Sequence, residues 1–254
     1  MRSNSRSFLV EGTTGKHYVA KLAGGLNGNR LLVNELLSAR LLQHIGVATP
    51  RVCLLEVPEA CSQRALSVSE QGEAFHPEPG LLLGSECPVD PTVTAIFDFL
   101  PRWLYERGRV RNPTDLAAVF AFDRWVSYTG LRAKFFVRNA NDSDRRLQMY
   151  TIGGAAAFGG RTWQFADDGL GLVWRTHLYG LLDMKYLCED AIARIGILTE
   201  QDIHEHCDHV PDDWLTEGDR HILLTEVVGT LLRRGSQLPS IVWRDLATIA
   251  SEAA

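Results

Sequence analysis

Lys21 closes a short run of β-type residues, and Glu35 lies in the apolar-periodic stretch that follows. A lysine held by a helix glutamate is the ion pair that positions the α- and β-phosphates of ATP. Lys21 and Glu35 are therefore the candidate nucleotide-binding residues; a surface lysine and a solvated glutamate that never meet is the plainer alternative. The segment between them, Gly24-Gly25-Leu26-Asn27-Gly28-Asn29, could turn backbone N–H groups toward an anion, although such composition more often marks a flexible connection. A second polar cluster, His204-Glu205-His206-Cys207-Asp208-His209, contains zinc-ligand types. Helical spacing puts His204 with Cys207 and Asp208 and turns His206 elsewhere, so the expectation is a solvated helix face and no metal. The acids Asp142, Asp144, Asp167 and Asp168 sit among turn residues and read as solvated.

The elements that must position these residues follow from pattern. Ser7 to Glu11 and His17 to Leu22 flank Gly12-Thr13-Thr14-Gly15, which is hairpin chemistry. Leu32, Leu36, Leu37, Ala39 and Leu41 recur up to Ile45 with Gly46 as a stop, which predicts a helix carrying Glu35. Arg51 to Val57 has strand length, residues 58–91 are loop-rich, and Leu81 to Leu83 is the best further strand there. Leu100 to Glu106 and Pro113 to Tyr128 read as helices, the second capped by Thr114 or Asp115 and striped by Leu116, Val119, Phe120, Phe122 and Trp125. Lys134 to Arg138 and Gln148 to Ile152 read as strands around the polar tip 139–144, and helices follow from Leu181 to about Ala250. A strand-rich first part and a helix-rich second part give an expected division at 1–95 and 96–254.

Composition narrows the function classes. A chain of 254 residues can bury a substantial core as one domain or two lobes, and a formal net charge of −5 argues against a nucleic-acid partner. The opening MRSNSRSFLVEG has no apolar run after it, and no stretch has the length and apolarity of a bilayer span. The expectation is a cytoplasmic protein with no membrane partner. Five scattered cysteines, Cys53, Cys61, Cys87, Cys188 and Cys207, show no metal or disulfide spacing and are expected as thiols. The tryptophans, Trp125, Trp163 and Trp174 among them, are core or interface candidates.

Taken in order, HYVAKL (17–22), RLLVNELLSARLLQHIGVATPRVCLLEV (30–57), AIFDFLP (95–101), AFDRWVSYTGLRAKFFV (121–137), MYTIGGAAAF (149–158) and VPDDW (210–214) resemble the bacterial HipA-like kinases, in their compact branch without an additional N-terminal domain. The resemblance implies an α+β, two-lobed protein-kinase-like fold with a small antiparallel-sheet N-lobe and a larger helical C-lobe. In that family Phe-Asp-Arg-Trp leads to Asn-Thr-Asp-Arg, whose Asp is the catalytic base. A later Asn and the Asp of an Ile-Asp-His strand end hold magnesium. Here those places read Tyr128-Thr129-Gly130-Leu131, Phe135, and Ile152-Gly153-Gly154. Gly130 cannot take a proton, and neither Phe135 nor Gly153 offers the oxygen a hard cation requires. Asp123 and Arg124 are assigned to scaffold.

The expected function is a HipA-like pseudokinase without phosphotransfer, with no catalytic residues and no metal site. It would act through a protein partner or through weak, magnesium-independent ATP binding. Two alternatives stand beside it: an active Ser/Thr kinase using displaced acids such as Asp167 or Asp168, and a purely structural subunit of a bacterial complex. A toxin–antitoxin or stress setting is implied by family analogy alone.

Overall fold

The computed structural model describes residues 7–22, 29–62, 67–68, 74–75, 77–128, 132–138, 145–165 and 182–253. The chain opens with strands β1 (Ser7–Glu11) and β2 (His17–Lys21), an antiparallel hairpin in which Lys21 lies opposite Ser7. Its turn closes through a hydrogen bond from the Gly12 N–H to the Lys16 carbonyl (2.8 Å), with Gly15 at φ +75°. Helix α1 (Arg30–His44) follows and ends where Gly46 takes φ +80°, as its composition requires. Strand β3 (Val52–Val57), a short helix α2 (Glu59–Ser62), the paired two-residue strands β4 (Ser67–Val68) and β5 (Ala74–Phe75), and β6 (Gly80–Glu86) complete the first part. The main sheet has the order β1-β2-β6-β3, antiparallel throughout. The apolar triplet at Leu81 is thus the middle of a seven-residue central strand.

A second sheet, β7 (Ile96–Phe97), β8 (Ala133–Val137) and β9 (Gln148–Ile152), is also antiparallel. Between its first two strands run α3 (Arg102–Glu106) and α4 (Asp115–Trp125). Helix α4 departs from the expected amphipathic stripe: Leu116 through Trp125 are all buried, including Asp123 and Arg124. No side-chain cap from Thr114 closes it. The Asp115 carboxylate instead accepts from the Ala48 N–H (3.0 Å) and the Asn112 amide (2.6 Å), joining the helix start to the α1–β3 linker. Helices α5 (Met184–Gly196), α6 (Glu200–Cys207), α7 (Glu217–Ile222) and α8 (Val228–Ala253) follow, with a π-helical turn at Leu223–Val227 before α8. Thr199 and Asp202 form a reciprocal capping box on α6.

The principal core joins α1 to the later helices, with Leu36, Leu41, Leu42, Phe122, Trp125, Ile203 and Leu223 among its largest enclosed side chains. The hairpin contributes to a separate small cluster of Phe8, Ala20 and Leu82. Helix α1 is therefore held more by the helical part than by the sheet it follows in sequence. All five cysteines are free thiols, and among the described residues no helix is long and apolar enough to cross a membrane.

Candidate nucleotide-binding cleft

The Lys21 ammonium donates to the Glu35 carboxylate in an ion pair whose side chains keep only 17% and 11% of their exposure. Lys21 is placed by register: its neighbour Ala20 faces the small core, and Lys21 itself lies between Ser7 and Leu83 at the end of β2. Glu35 is placed by α1, and α1 is fixed by its neighbour Asn34. That side chain is completely buried; its amide nitrogen lies 2.9–3.0 Å from the carbonyls of Ala155, Ala157 and Gly160, and its oxygen accepts from the Trp163 indole at 2.7 Å. Arg30, one helical turn earlier, stacks 4.6 Å from the Trp163 ring centre, donates to the carbonyls of Arg161 and Thr162, and pairs with Asp219. The segment after β9 is thus strapped along α1. Gly154 permits the contact, because a Cβ there would stand 2.6 Å from the Ser38 Cβ.

The segment after α4 is built just as firmly. Arg234 donates to the carbonyls of Trp125 (2.8 Å) and Arg124 (2.6 Å), closing the end of α4, and the Phe158 N–H bonds the Val126 carbonyl at 2.8 Å. Ser127 turns the chain at φ +51°, bringing the Tyr128 N–H back to the Asp123 carbonyl. Arg132 then reaches inward: its guanidinium binds Asp123 (Nε to Oδ1, 3.1 Å), donates to the Gly153 carbonyl and lies 4.0 Å from the Tyr128 ring centre. The scaffold roles expected for Asp123 and Arg124 agree with these contacts and with an Arg124–Asp245 pair at 3.7 Å. Burial pushes the Tyr128 hydroxyl above its ordinary range, and the negative charges of Asp123 and Glu35 act in the same direction. The Tyr128 hydroxyl lies 3.8 Å from where a Cβ on Gly153 would stand.

What this cleft offers chemically is cationic. Gly153, at φ +83°, is exposed, and among the described residues only the Tyr128 hydroxyl comes near its missing Cβ, at 3.8 Å. Phe135 stacks on Tyr150 (5.4 Å between ring centres, 14° between planes), while its neighbour Lys134 stands within the field of Asp123 and Arg132. Burial lowers the pKa of Lys134, and the charge of Arg132 adds to the effect, against the pull of Asp123. Lys21 is thus paired with Glu35, and Arg132 with Asp123 beside Lys134. Among the described residues no group of three His, Cys, Asp or Glu could hold a metal ion. Guanidinium and ammonium donors of this kind are complementary to anionic oxygens. Gly130, Asp142, Asp144, Asp167, Asp168 and Trp174 lie outside the described residues.

The His204–His209 cluster divides. His204 faces Glu200 at 3.6 Å, while Cys207 is buried and its thiol is pushed up to about 12 by desolvation. His206 departs from the expected solvated face: it packs edge-on against His44 of α1, with 2.9 Å between Nδ1 of His44 and Nε2 of His206. Sequence reasoning also missed Asn34, Tyr128, Arg132 and Lys134. A polar Asn amid the leucines of α1 was the one visible signal, since a polar residue at a buried helix position needs partners.

The sequence matches no protein-family model and no curated protein. Solved structures do match. The Helicobacter pylori proinflammatory kinase CtkA aligns over 94% of this chain and 94% of its own, with 12% identity and a TM-score of 0.54. HipA of Shewanella oneidensis MR-1, solved with HipB and operator DNA, aligns over 89% of this chain at 13% identity and a TM-score of 0.55, and the match spans 59% of that HipA chain. The chain has a HipA-like kinase fold, two-lobed and α+β.

Proposed function

We propose that the chain is a HipA-like pseudokinase: it binds a nucleotide weakly through Lys21 and Glu35 without magnesium, transfers no phosphate, and acts through a protein partner. The observation that supports this reading is the Arg132 guanidinium on the Gly153 carbonyl, because the resemblance implies a metal-binding carboxylate at position 153. Phosphoryl transfer depends on metal and positioned donors around the γ-phosphate. A cleft with Lys21, Arg132 and Lys134 supports attraction of phosphates, while Gly130, Phe135 and Gly153 supply neither base nor ligand. The partner is supported by exposed apolar side chains close in sequence, Val93, Ile96, Phe97, Phe99 and Trp103, with Val93 81% and Phe99 68% exposed. The S. oneidensis HipA was solved with HipB and DNA; by that analogy a protein partner in a cytoplasmic toxin–antitoxin setting is the first to try.

Thermal shift with ATP, with and without Mg²⁺, tests the nucleotide claim, and radiolabelled ATP tests transfer. A shift without metal and no label on any protein is the expected result. A shift that requires Mg²⁺, with label incorporation lost on Asp167→Ala or Asp168→Ala, would establish an active kinase instead. No shift at all would leave a structural subunit.

A further inference from the structure

Helix α1 presents Leu36, Arg40, Gln43 and His44 on a face distinct from those of Glu35 and Asn34, as spacings of three, four and seven residues require. That face meets Arg51 and the first residues of β3, Val52 to Leu54, with His206 of α6 and His209 just after it, around an open cavity of about 690 Å³. Two arginines and three histidines line it, and among the described residues no carboxylate does. Two acids whose charge reaches the lining have partners of their own: Glu86, which acts on Cys53, is held by Lys16 at 2.6 Å, and Asp202, which acts on His44 and His206, accepts from the hydroxyl and N–H of Thr199 as the α6 cap. Arg40 Nε and His206 Nδ1 are buried polar atoms with no hydrogen-bond partner among the described residues. An uncompensated donor of this kind is costly unless something accepts from it.

We propose that this pocket binds a phosphoryl dianion, held by Arg40 and Arg51 and by His206 once it is protonated. The lining suits an oxyanion: guanidinium groups come from α1 and from Arg51 just before β3, imidazoles come from α1, α6 and the residue pair after α6, and Leu36, Val52 and Leu54 complete the wall. Without an occupant His206 is kept neutral, its pKa lowered to about 4 by burial and then by the charges of His44, Arg40 and His209, against the weaker pull of Asp202. A dianion among these groups reverses the balance, so binding takes up a proton. Affinity therefore rises as pH falls from 8 to 6. The site is separate from the Lys21 cleft and joins α1 to α6, so an occupant bridges the two lobes.

Histidine ring signals in proton NMR report the pocket directly. Sulfate, dianionic at both pH 6 and pH 8, isolates the protein's protonation; inorganic phosphate and a phosphoserine peptide then distinguish the source of the group. The expected result is saturable movement of the His44 and His206 signals, several-fold tighter at pH 6 than at pH 8. Arg51→Gln, an exposed position, should weaken binding at least tenfold, and Lys21→Met should leave it unchanged. A peptide binding tenfold tighter than free phosphate assigns a phosphorylated protein as source, and equal affinities assign a free anion. Unmoved signals, binding independent of pH, or undiminished binding in Arg51→Gln would overturn the proposal.

Discussion

Gly153→Asp restores the residue that a metal site would need first, and the structure argues that it fails alone. The backbone at φ +83° costs an aspartate about 1 kcal/mol. Among the described residues a Cβ meets nothing nearer than the Tyr128 hydroxyl at 3.8 Å, so conformation rather than collision sets that cost. The new carboxylate would emerge beside Arg132, which already donates to the carbonyl of residue 153. At about 4 Å and an effective dielectric of about 20 the gross attraction is about 4 kcal/mol. At an exposed position the net gain falls to about 1 kcal/mol. Strain and ion pair cancel, leaving stability within about 1 kcal/mol of the wild type and the carboxylate occupied by a guanidinium. Neither Gly153→Asp nor its combination with Gly130→Asp should then respond to Mg²⁺. Adding Arg132→Gln, which keeps a donor for Asp123, frees the carboxylate introduced at 153 to act with the one introduced at 130. Magnesium at a hundred times its Kd would then stabilise by about 2.7 kcal/mol, and each kcal/mol is about 2–4 °C for a chain of this size. Scanning fluorimetry with millimolar Mg²⁺ reads this out, and a clear magnesium-dependent shift in Gly153→Asp alone refutes the claim that Arg132 guards the site.

Asn34→Leu keeps the volume but strands the buried Ala157 carbonyl and Trp163 indole, while Ala155 and Gly160 can reach water; the expected loss is about 3 kcal/mol in urea unfolding, with faster amide exchange across 155–163. Lys21→Met should abolish the magnesium-free ATP shift and cost about 1–3 kcal/mol, because Glu35 loses its counter-ion. His206 is held at a folded pKa of about 4 against 6.5 unfolded, so the unfolded state binds more protons between those values and stability falls as pH drops through that window. For this half-buried ring the loss is about 1 kcal/mol after discounting for solvent. Denaturation midpoints of His206→Asn should be flatter than wild type from pH 6.5 to 4.

The parts of the fold readable in the sequence are those that local chemistry determines. The Gly12–Gly15 turn, the leucine period of α1 with Gly46 after it, and the strands on either side of 139–144 all express constraints that act within a few residues. The Lys21–Glu35 pair was legible because strand register and helix periodicity each fix one partner. Helix α4 was misjudged because burial on every side comes from α5 and α8 packing against it, which periodicity cannot report. Arg132 and Lys134 were invisible for a related reason: their meaning lies in facing Asp123 and Gly153 across the fold, and nothing in the local sequence distinguishes them from surface cations. His206 was misplaced because its partner, His44, is 162 residues away.

Helix α1 carries three sites on three faces: Glu35 toward Lys21, Asn34 toward the strapped segment 153–163, and Arg40 with His44 toward the basic pocket. One helix touching two ligand sites invites a claim of coupling between them, and energetics limit that claim. A ligand can shift another's affinity only by favouring a state that is not already dominant. In the wild type the bonds from Asn34, the Arg30 contacts and the Gly154 close approach hold α1 in one position, so neither ATP nor phosphate has a minor state left to suppress. Their thermal shifts should therefore add. In Asn34→Leu the strap is loosened by about 3 kcal/mol. Undocked α1 becomes populated, and each ligand then favours the docked helix that the other also needs. Shifts larger together than the sum of the separate ones are expected in that variant alone. Synergy already present in the wild type would mean that α1 moves despite Asn34, and would refute the assignment of that residue as the lock.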